Sequence, residues 1–205
     1  MKKVFLYFMA FLCVSLVSCS NPDTQDVYFV HALGFDEKDE AMRFSFLMEK
    51  YTKETDKSDK NYFVESISSK TTKDALKKLS HSHGTLYFGQ DFLYLLSDSL
   101  SRENFCDIAV FITKSPHLSS KGKPVCVSSV SCESLLSVSN TKEAFDNISH
   151  LVNDSKVNLF DFFAKNLDGK IEIGISHISY FGKVQKAKDA IYKNCTVKTL
   201  KEQNV

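Results

Sequence analysis

The chain has 205 residues, of which 43% are hydrophobic and 25% are charged. This composition excludes a wholly disordered protein and is sufficient for a sizeable core. The formal net charge is only +1, so the long-range attraction to phosphate backbones is weak and a nucleic-acid partner is not expected.

Residues 1–18 have the layout of a secretory leader, in which two lysines precede an apolar run. The run from Val4 to Val17 is shorter than the roughly 20 residues that span a bilayer comfortably. It leads into Leu16-Val17-Ser18-Cys19, which resembles a bacterial lipobox, where the cysteine is lipidated and the leader is cut before it. We therefore predict that Cys19 is the site of lipid attachment and the first mature residue. The alternative is an uncleaved anchor or a chance cysteine.

Residues 19–25 are polar and contain Pro22, which is typical of a short flexible tether. No second stretch of about 18 apolar residues follows in the sequence. The protein is therefore predicted to be exported and anchored to a membrane surface through its lipid, without spanning the membrane.

The first elements of the body read as a β-hairpin. "DVYFVHALGF" from Asp26 is a β-rich apolar run, and "AMRFSFLMEKY" from Ala41 alternates so that one face is buried. The acidic stretch "GFDEKDE" between them lacks the ligand spacing of a calcium loop and is predicted to be a solvated turn.

Strands and helices alternate after the hairpin. A third strand ends at Ser69, and a helix begins at a Thr71 or Thr72 cap. "TLYFGQDFLYLLS" is predicted to be a central strand buried on both faces, with Gly89 where another element approaches closely. A helix capped by Ser99 follows. The later predicted elements are a strand at 125–130, helices at 141–152 and 158–167, and a strand at 170–179.

Together these elements predict an α+β fold, with a mixed β-sheet and packed helices over residues 26–178. The shift to "HLSSKGKP" makes 114–124 the best internal boundary. Residues 179–205 are expected to form a polar tail with at most a weak, fraying helix.

The cysteines of the body leave two alternatives open. Outside the cell, Cys106, Cys126, Cys132 and Cys195 allow two disulfides in any of three pairings. Cys126 and Cys132 are close enough in sequence to bridge around a tight loop. The equal alternative is that the cysteines are buried thiols that behave as small hydrophobes.

The histidines give little support for a metal site. His81 and His83 would lie on one side of an extended segment, but zinc sites need three or four ligands and the cysteines are not in CxxC spacing. We therefore interpret "LSHSHG" as a solvated loop, and His31 as a hydrogen-bonded structural histidine. No nucleophile motif or phosphate loop accompanies these residues. No catalytic residue, metal or cofactor is predicted.

The order of the motifs resembles the N-terminal domain of the spore germination receptor C-subunit lipoproteins, the Ger(x)C family. The family has a strand similar to "ALGID", here Ala32–Asp36, and a helix similar to "TLEEALRKL", here Thr72–Leu79. Leu86–Leu96 is similar to the family's next strand, and Ile108–Thr113 is similar to the "LDFLLR" segment that comes after it. "NLFDFFAKNL" is similar to a later segment. The resemblance covers residues 26–168, and because the chain stops before the family's long C-terminal domain, we interpret it as a short, divergent member.

This resemblance implies a non-catalytic subunit held by lipid on the outer face of the spore inner membrane. Its implied partners are a permease-like subunit and another receptor subunit, with which it helps to respond to small nutrient germinants. Two alternatives remain on the sequence alone: a solute-binding or cell-wall-binding lipoprotein unrelated to sporulation, and a lipid-anchored hydrolase.

Overall fold

The structure is a computed structural model. It describes residues 27–38, 41–51, 61–115, 118, 122–128, 130–137, 141–153, 157, 162, 173–180, 184–186, 190–193 and 196–199. The predicted leader, Cys19 and the tether lie outside the described residues, as does Cys195.

Thirteen helices and strands are described in these ranges. In chain order they are β1 (Val27–Lys38), β2 (Ala41–Tyr51), β3 (Asn61–Ser69), α1 (Thr72–His83), β4 (Thr85–Ser97), α2 (Arg102–Lys114), β5 (Lys123–Ser128), α3 (Cys132–Leu136), α4 (Thr141–Val152), β6 (Ile173–Tyr180), β7 (Val184–Lys186), β8 (Ala190–Lys193) and β9 (Thr196–Thr199).

The strands form one mixed sheet in the order β3-β2-β1-β4-β5-β6-β8-β9, with β7 paired to β6. Strands β1, β2 and β3 are antiparallel neighbours, whereas β4 runs parallel to both β1 and β5, and β5 runs parallel to β6. The predicted α+β class is confirmed, and so are the β1–β2 hairpin and the central position of β4. The sheet also continues from β4 to β5 across residues 114–124.

Helices cover both faces of the sheet, which gives two hydrophobic cores. On one face, α1 and α2 bury side chains such as Leu79 and Phe105 against the sheet, and Phe162 packs edge-on to Phe105 with ring centroids 5.9 Å apart. On the other face, α3 and α4 bury Leu135 and Ile148. The core on the first face is rich in phenylalanine because the sheet contributes Phe35, Phe44, Phe46 and Phe92 to it.

Strand β2 is buried on both faces, which corrects the prediction of a strand with one solvated face. The predicted stripe of Met42, Phe44, Phe46 and Met48 lies in the first core. The alternate positions are buried too, because Leu47 belongs to the second core. Helix α3 packs over this face of β2, so the alternation of residue types identified only one of the two covered faces.

A β-bulge in β1 changes which residues face each core. The β1–β2 register passes from Val30 opposite Met48 directly to Ala32 opposite Leu47, which leaves His31 as an extra residue. As a result Val30 and Leu33 face the same core although they are three positions apart.

Strand β4 is irregular at the same level as the bulge, because its pairing with β1 passes from Phe88 to Leu93. Gly89 lies in this irregular segment. The nearest heavy atom to a Cβ added there would be the Val30 carbonyl oxygen at 3.9 Å. The predicted close approach at Gly89 is therefore wrong, and the glycine marks the irregularity in the strand.

Helix α1 begins where the sequence predicts and ends later. Thr71 is the N-cap, and its hydroxyl accepts a hydrogen bond from the Asp74 backbone N–H at 3.2 Å. The helix continues through His83 and ends at Gly84, whose φ of 77° suits a glycine and whose N–H donates to the Ser80 carbonyl. The predicted loop at "LSHSHG" is therefore the last turn of a helix.

Helix α2 is capped by Ser101 and not by the predicted Ser99. The Ser101 hydroxyl accepts from the Asn104 N–H at 3.3 Å, whereas Ser99 hydrogen-bonds to Ser97 before the helix begins. Several serines precede this helix. The N-cap is Ser101, because the residue after it is the first with helical backbone angles.

The end of the chain contains strands where a polar tail was predicted. Strands β7, β8 and β9 lie within residues 179–205 and extend the sheet beyond β6. Short polar segments such as Val184–Lys186 give little apolar periodicity, so the sequence does not distinguish them from a solvated tail. Of the predicted helix at 158–167, only Phe162 is among the described residues.

Helix α3 passes close over β1 at Gly34. A Cβ added at Gly34 would lie 2.4 Å from the Cβ of Cys132. Both atoms are held by backbone, so neither can move aside as the end of a flexible side chain would. Glycine at this position is required for α3 to dock.

We predict that Gly34→Ala lowers the free energy of unfolding by about 1–3 kcal/mol, because the added methyl group forces α3 away from the sheet. Urea denaturation of the two chains measures this difference. Gly89→Ala is the matched control, since it adds the same atom where the nearest neighbour is 3.9 Å away. Its effect is expected to stay within about 0.5 kcal/mol. Equal losses in the two variants would contradict the docking role of Gly34.

Candidate functional site

The carboxyl end of β1 carries two consecutive acidic residues, and each binds the start of a helix. Both carboxylate oxygens of Asp36 lie 3.0 Å from the backbone nitrogen of Cys132, the first residue of α3. A carboxylate oxygen of Glu37 lies 2.6 Å from the backbone nitrogen of Ser101, the N-cap of α2. Because successive strand side chains point to opposite faces, the pair holds one helix on each face of the sheet.

This arrangement corrects the prediction of a solvated turn at "GFDEKDE". The residues through Lys38 belong to β1, and Asp36 is only 5% exposed. The sequence does contain a glycine just before the two acidic residues, in "LGFDE". Nothing in this stretch indicates that the acidic side chains bind the starts of helices about 60 to 100 positions further along the chain. These helix-holding contacts of Asp36 and Glu37 are the interactions that the sequence did not predict.

Opposing effects act on the Asp36 carboxyl. Burial raises its pKa, while the hydrogen bonds from Cys132 act in the opposite direction and only partly offset it. Arg43, the cross-strand neighbour of Asp36, also lowers it and forms an ion pair with Glu133 at 2.6 Å. Since the folded pKa is above that of the unfolded chain, stability from this group is present below about pH 4 and is lost as pH rises through the folded pKa.

Glu37 has the opposite shift. The N–H of Ser101 and the side chain of Asn104 hold the pKa of its carboxyl below the usual value. Its carboxylate is therefore favoured by folding. The stability it contributes is present above about pH 4.5 and is lost as pH falls through the folded pKa.

Cys132 is a buried structural thiol. It forms no disulfide, so the bridge to Cys126 that the spacing allowed is absent. Its sulfur lies 3.5 Å from the Leu95 carbonyl oxygen, which accepts a hydrogen bond from the thiol. Burial, followed by the charge of Asp36, raises its pKa well above the usual value, so the thiol stays protonated and is a poor nucleophile.

The two histidines considered as a metal pair do not converge. They lie two positions apart in α1 and so project about 200° apart around the helix axis. His83 hydrogen-bonds to Glu65 of β3 and packs against Tyr28, with ring centroids 4.7 Å apart. No group of three or more metal-ligating side chains occurs within the described ranges.

His31 is the hydrogen-bonded histidine that the sequence predicts. Its Nε2 lies 2.9 Å from a carboxylate oxygen of Glu49, and its ring packs between Tyr62 of β3 and Phe145 of α4. The bulge in β1 orients His31 toward the second core, where it links three elements. Its contacts therefore account for the residue as part of the packing.

Two open grooves flank α1. One is lined mainly by polar and basic side chains between α1 and the ends of β2 and β3, namely Ser68, Ser69, Lys70, Asp74, Lys77, Lys78 and His81. The other lies between α1, the start of β4 and the end of α2, and is lined mainly by apolar side chains, namely Leu76, Leu86, Phe88, Phe111 and Leu118. Lys77 borders both grooves.

Within the described part of the chain, no helix has both the length and the hydropathy needed to cross a bilayer.

A comparison with known protein families identifies the class of domain to which this chain belongs. Residues 21–175 match the family model described as the spore germination protein N-terminal domain. The chain therefore belongs to this family, and the predicted resemblance is confirmed. Membership gives it a role like that of the C subunit of a germinant receptor. No curated protein and no solved structure matches the chain.

We predict that Asp36→Ala costs about 1–3 kcal/mol of unfolding free energy, because the Cys132 N–H is left buried without its acceptor. Asp36→Asn is the matched control, since its amide oxygen can still accept that hydrogen bond. Denaturant unfolding at pH 7 is expected to show a clearly smaller loss for Asn. Equal losses would mean that the acceptor does not hold α3.

Glu37→Gln is expected to reduce stability by less than about 1 kcal/mol at pH 7, since Glu37 is partly exposed and solvent screens its charge. The difference from the native chain should begin to shrink below about pH 4.5 and disappear as pH falls through the lowered pKa of the folded carboxyl, where the native carboxylate becomes protonated. Urea unfolding over this pH range tests it. Asp107→Asn, a change at an exposed position in the middle of α2, is the control. A loss for Glu37→Gln that does not change with pH would contradict the role of the charge.

Proposed function

We propose that this protein is a non-catalytic, lipid-anchored subunit of a spore nutrient germinant receptor. The carrying observation is the family match over residues 21–175, which covers most of the chain. In the proposal, the subunit is exported and held by Cys19 on the outer face of the spore inner membrane. It acts there beside a permease-like subunit and another receptor subunit.

The sequence Leu16-Val17-Ser18-Cys19 behind a short apolar run supports the anchor. Several acyl chains are needed for stable attachment, because one chain holds only marginally. Physically, the anchor raises the concentration of the domain next to its membrane partners, so that weak contacts become effective. Anchoring is therefore part of the proposed function and more than a matter of location.

The chemistry of the described residues supports a subunit that acts by binding other proteins and not by catalysis. His31 and His83 are hydrogen-bonded to carboxylates in structural positions, and the thiol of Cys132 is protonated and buried. These groups are occupied by packing, whereas a serine or cysteine hydrolase needs its nucleophile hydrogen-bonded to a histidine. The family match favours the receptor subunit over an unrelated solute-binding or cell-wall-binding lipoprotein.

We predict that Cys19→Ala releases the protein from spore membranes and slows nutrient-triggered germination by about tenfold or more, because the tether no longer concentrates it near its partners. Membrane fractionation and the loss of optical density in nutrient measure the two effects. Cys13→Ala is the control, since it changes a cysteine within the same apolar run and leaves the lipobox cysteine in place.

The two measurements separate the parts of the proposal. Continued membrane retention of Cys19→Ala would contradict lipid anchoring at this residue. Release accompanied by normal germination would contradict a receptor role that depends on the anchor. Co-purification of the native chain with a permease-like subunit from detergent-solubilised spore membranes is the positive result expected for a receptor subunit.

A further inference from the structure

We propose that the amino end of the central sheet rests on the lipid bilayer, with the rings of Tyr51 and Tyr87 in the headgroup region. This inference rests on the proposed anchoring through Cys19. It assigns to the domain a membrane-contacting surface of its own, here called the aromatic end. It consists of Val27, Phe29, Tyr51 and Tyr87.

The four residues of the aromatic end lie together on one face of the sheet. Val27 is directly opposite Tyr51 on β2, and Phe29 is opposite Tyr87 on β4. The rings of Phe29 and Tyr87 have centroids 5.7 Å apart. Helix α4 packs further along this face, where Phe145 contacts His31. The aromatic end therefore continues the second face of the sheet beyond the position where α4 covers it.

The two tyrosines are unusually exposed. Tyr51 is 57% and Tyr87 is 50% exposed, and the described residues include only one other exposed large hydrophobic side chain, Val110. Two exposed aromatic rings on the strands that flank β1 form a patch that water solvates poorly. Tyrosine suits the boundary of a bilayer because its ring is apolar and its hydroxyl is polar.

The length of the predicted tether favours this end over the other. Residues 20–26 separate Cys19 from Val27, and a chain of that length reaches less than about 30 Å even when fully extended. Strand β1 has 12 residues and so spans roughly 40 Å. With the opposite end of the sheet on the membrane and β1 upright, Val27 would lie beyond the reach of the tether. The anchor therefore places the aromatic end next to the lipid.

The chain contains no tryptophan, so single replacements provide clean fluorescent probes. We would prepare the full lipidated chain carrying Tyr51→Trp or Tyr87→Trp, and incorporate it into phosphatidylcholine vesicles with bromine on the acyl chains near the headgroups. Arg102→Trp is the matched control, because Arg102 is exposed at the start of α2, next to the opposite end of β1. Vesicle flotation is measured on the same samples.

With the protein floating, Trp at position 51 or 87 is expected to lose about half or more of its fluorescence to bromine, since interfacial groups lie within about 5–10 Å of the acyl boundary. Trp at position 102 is expected to be unaffected. Flotation with equal, weak quenching at all three positions would overturn the membrane surface while leaving the anchor intact, and would assign the aromatic end to a protein partner. Failure of the lipidated native chain to float would overturn the anchor itself, and the surface with it.

Discussion

At Gly34 the backbone of β1 and the first residue of α3 are in direct contact, and no side chain fits between them. Two positions further along the same face, Asp36 accepts the first N–H of that helix. The position of α3 is thus fixed by shape at one residue and by a hydrogen bond at the next. The second core depends on this contact, because α3 contributes Leu135 and Leu136 to it and α4 packs beside α3.

The opposite face depends on the same strand. Glu37 holds the start of α2 through the Ser101 N–H, and Phe35 lies in the first core between Phe44 and Tyr94. Four consecutive residues of β1 therefore connect the two layers of helices to the sheet. The bulge at His31 makes this possible, because it changes the alternation of side chains halfway along the strand. Without it, every residue of the second half of β1 would face the other core.

Much of this architecture was predictable because it depends on local pattern. The stripe from Met42 to Met48 identified β2, and the predicted cap at Thr71 or Thr72 marked the start of α1, where the structure has Thr71. Features that depend on contacts between distant segments were not predictable. The partner of Asp36 is 96 positions away, and the burial of Leu47 depends on α3. Strands β7 to β9 are too short and polar to give a periodic signal. The acidic stretch in "GFDEKDE" was predicted to be a solvated turn because the helices that its carboxylates bind are distant in sequence.

The candidate site at the end of β1 is also explained by contacts between distant segments. The sequence did not reveal that the family-like motif Ala32–Asp36 is a helix-docking element. In that motif Gly34 admits α3 and Asp36 binds its first N–H, so the motif is explained by folding and requires no substrate. A family recognised by such a motif is recognised by its scaffold. Function then has to reside on the surfaces that the scaffold presents.

For a lipid-anchored domain, the arrangement of those surfaces follows from the position of the tether. The aromatic end and the helix-docking end lie at opposite ends of β1, roughly 25–35 Å apart. With the aromatic end on the bilayer, the docking contacts of Asp36 and Glu37 lie well away from lipid. The two grooves beside α1 then run along the flank of the domain between these levels, because α1 returns from the docking end to the start of β4. In the proposed receptor, this height places the grooves where a neighbouring membrane subunit can contact them.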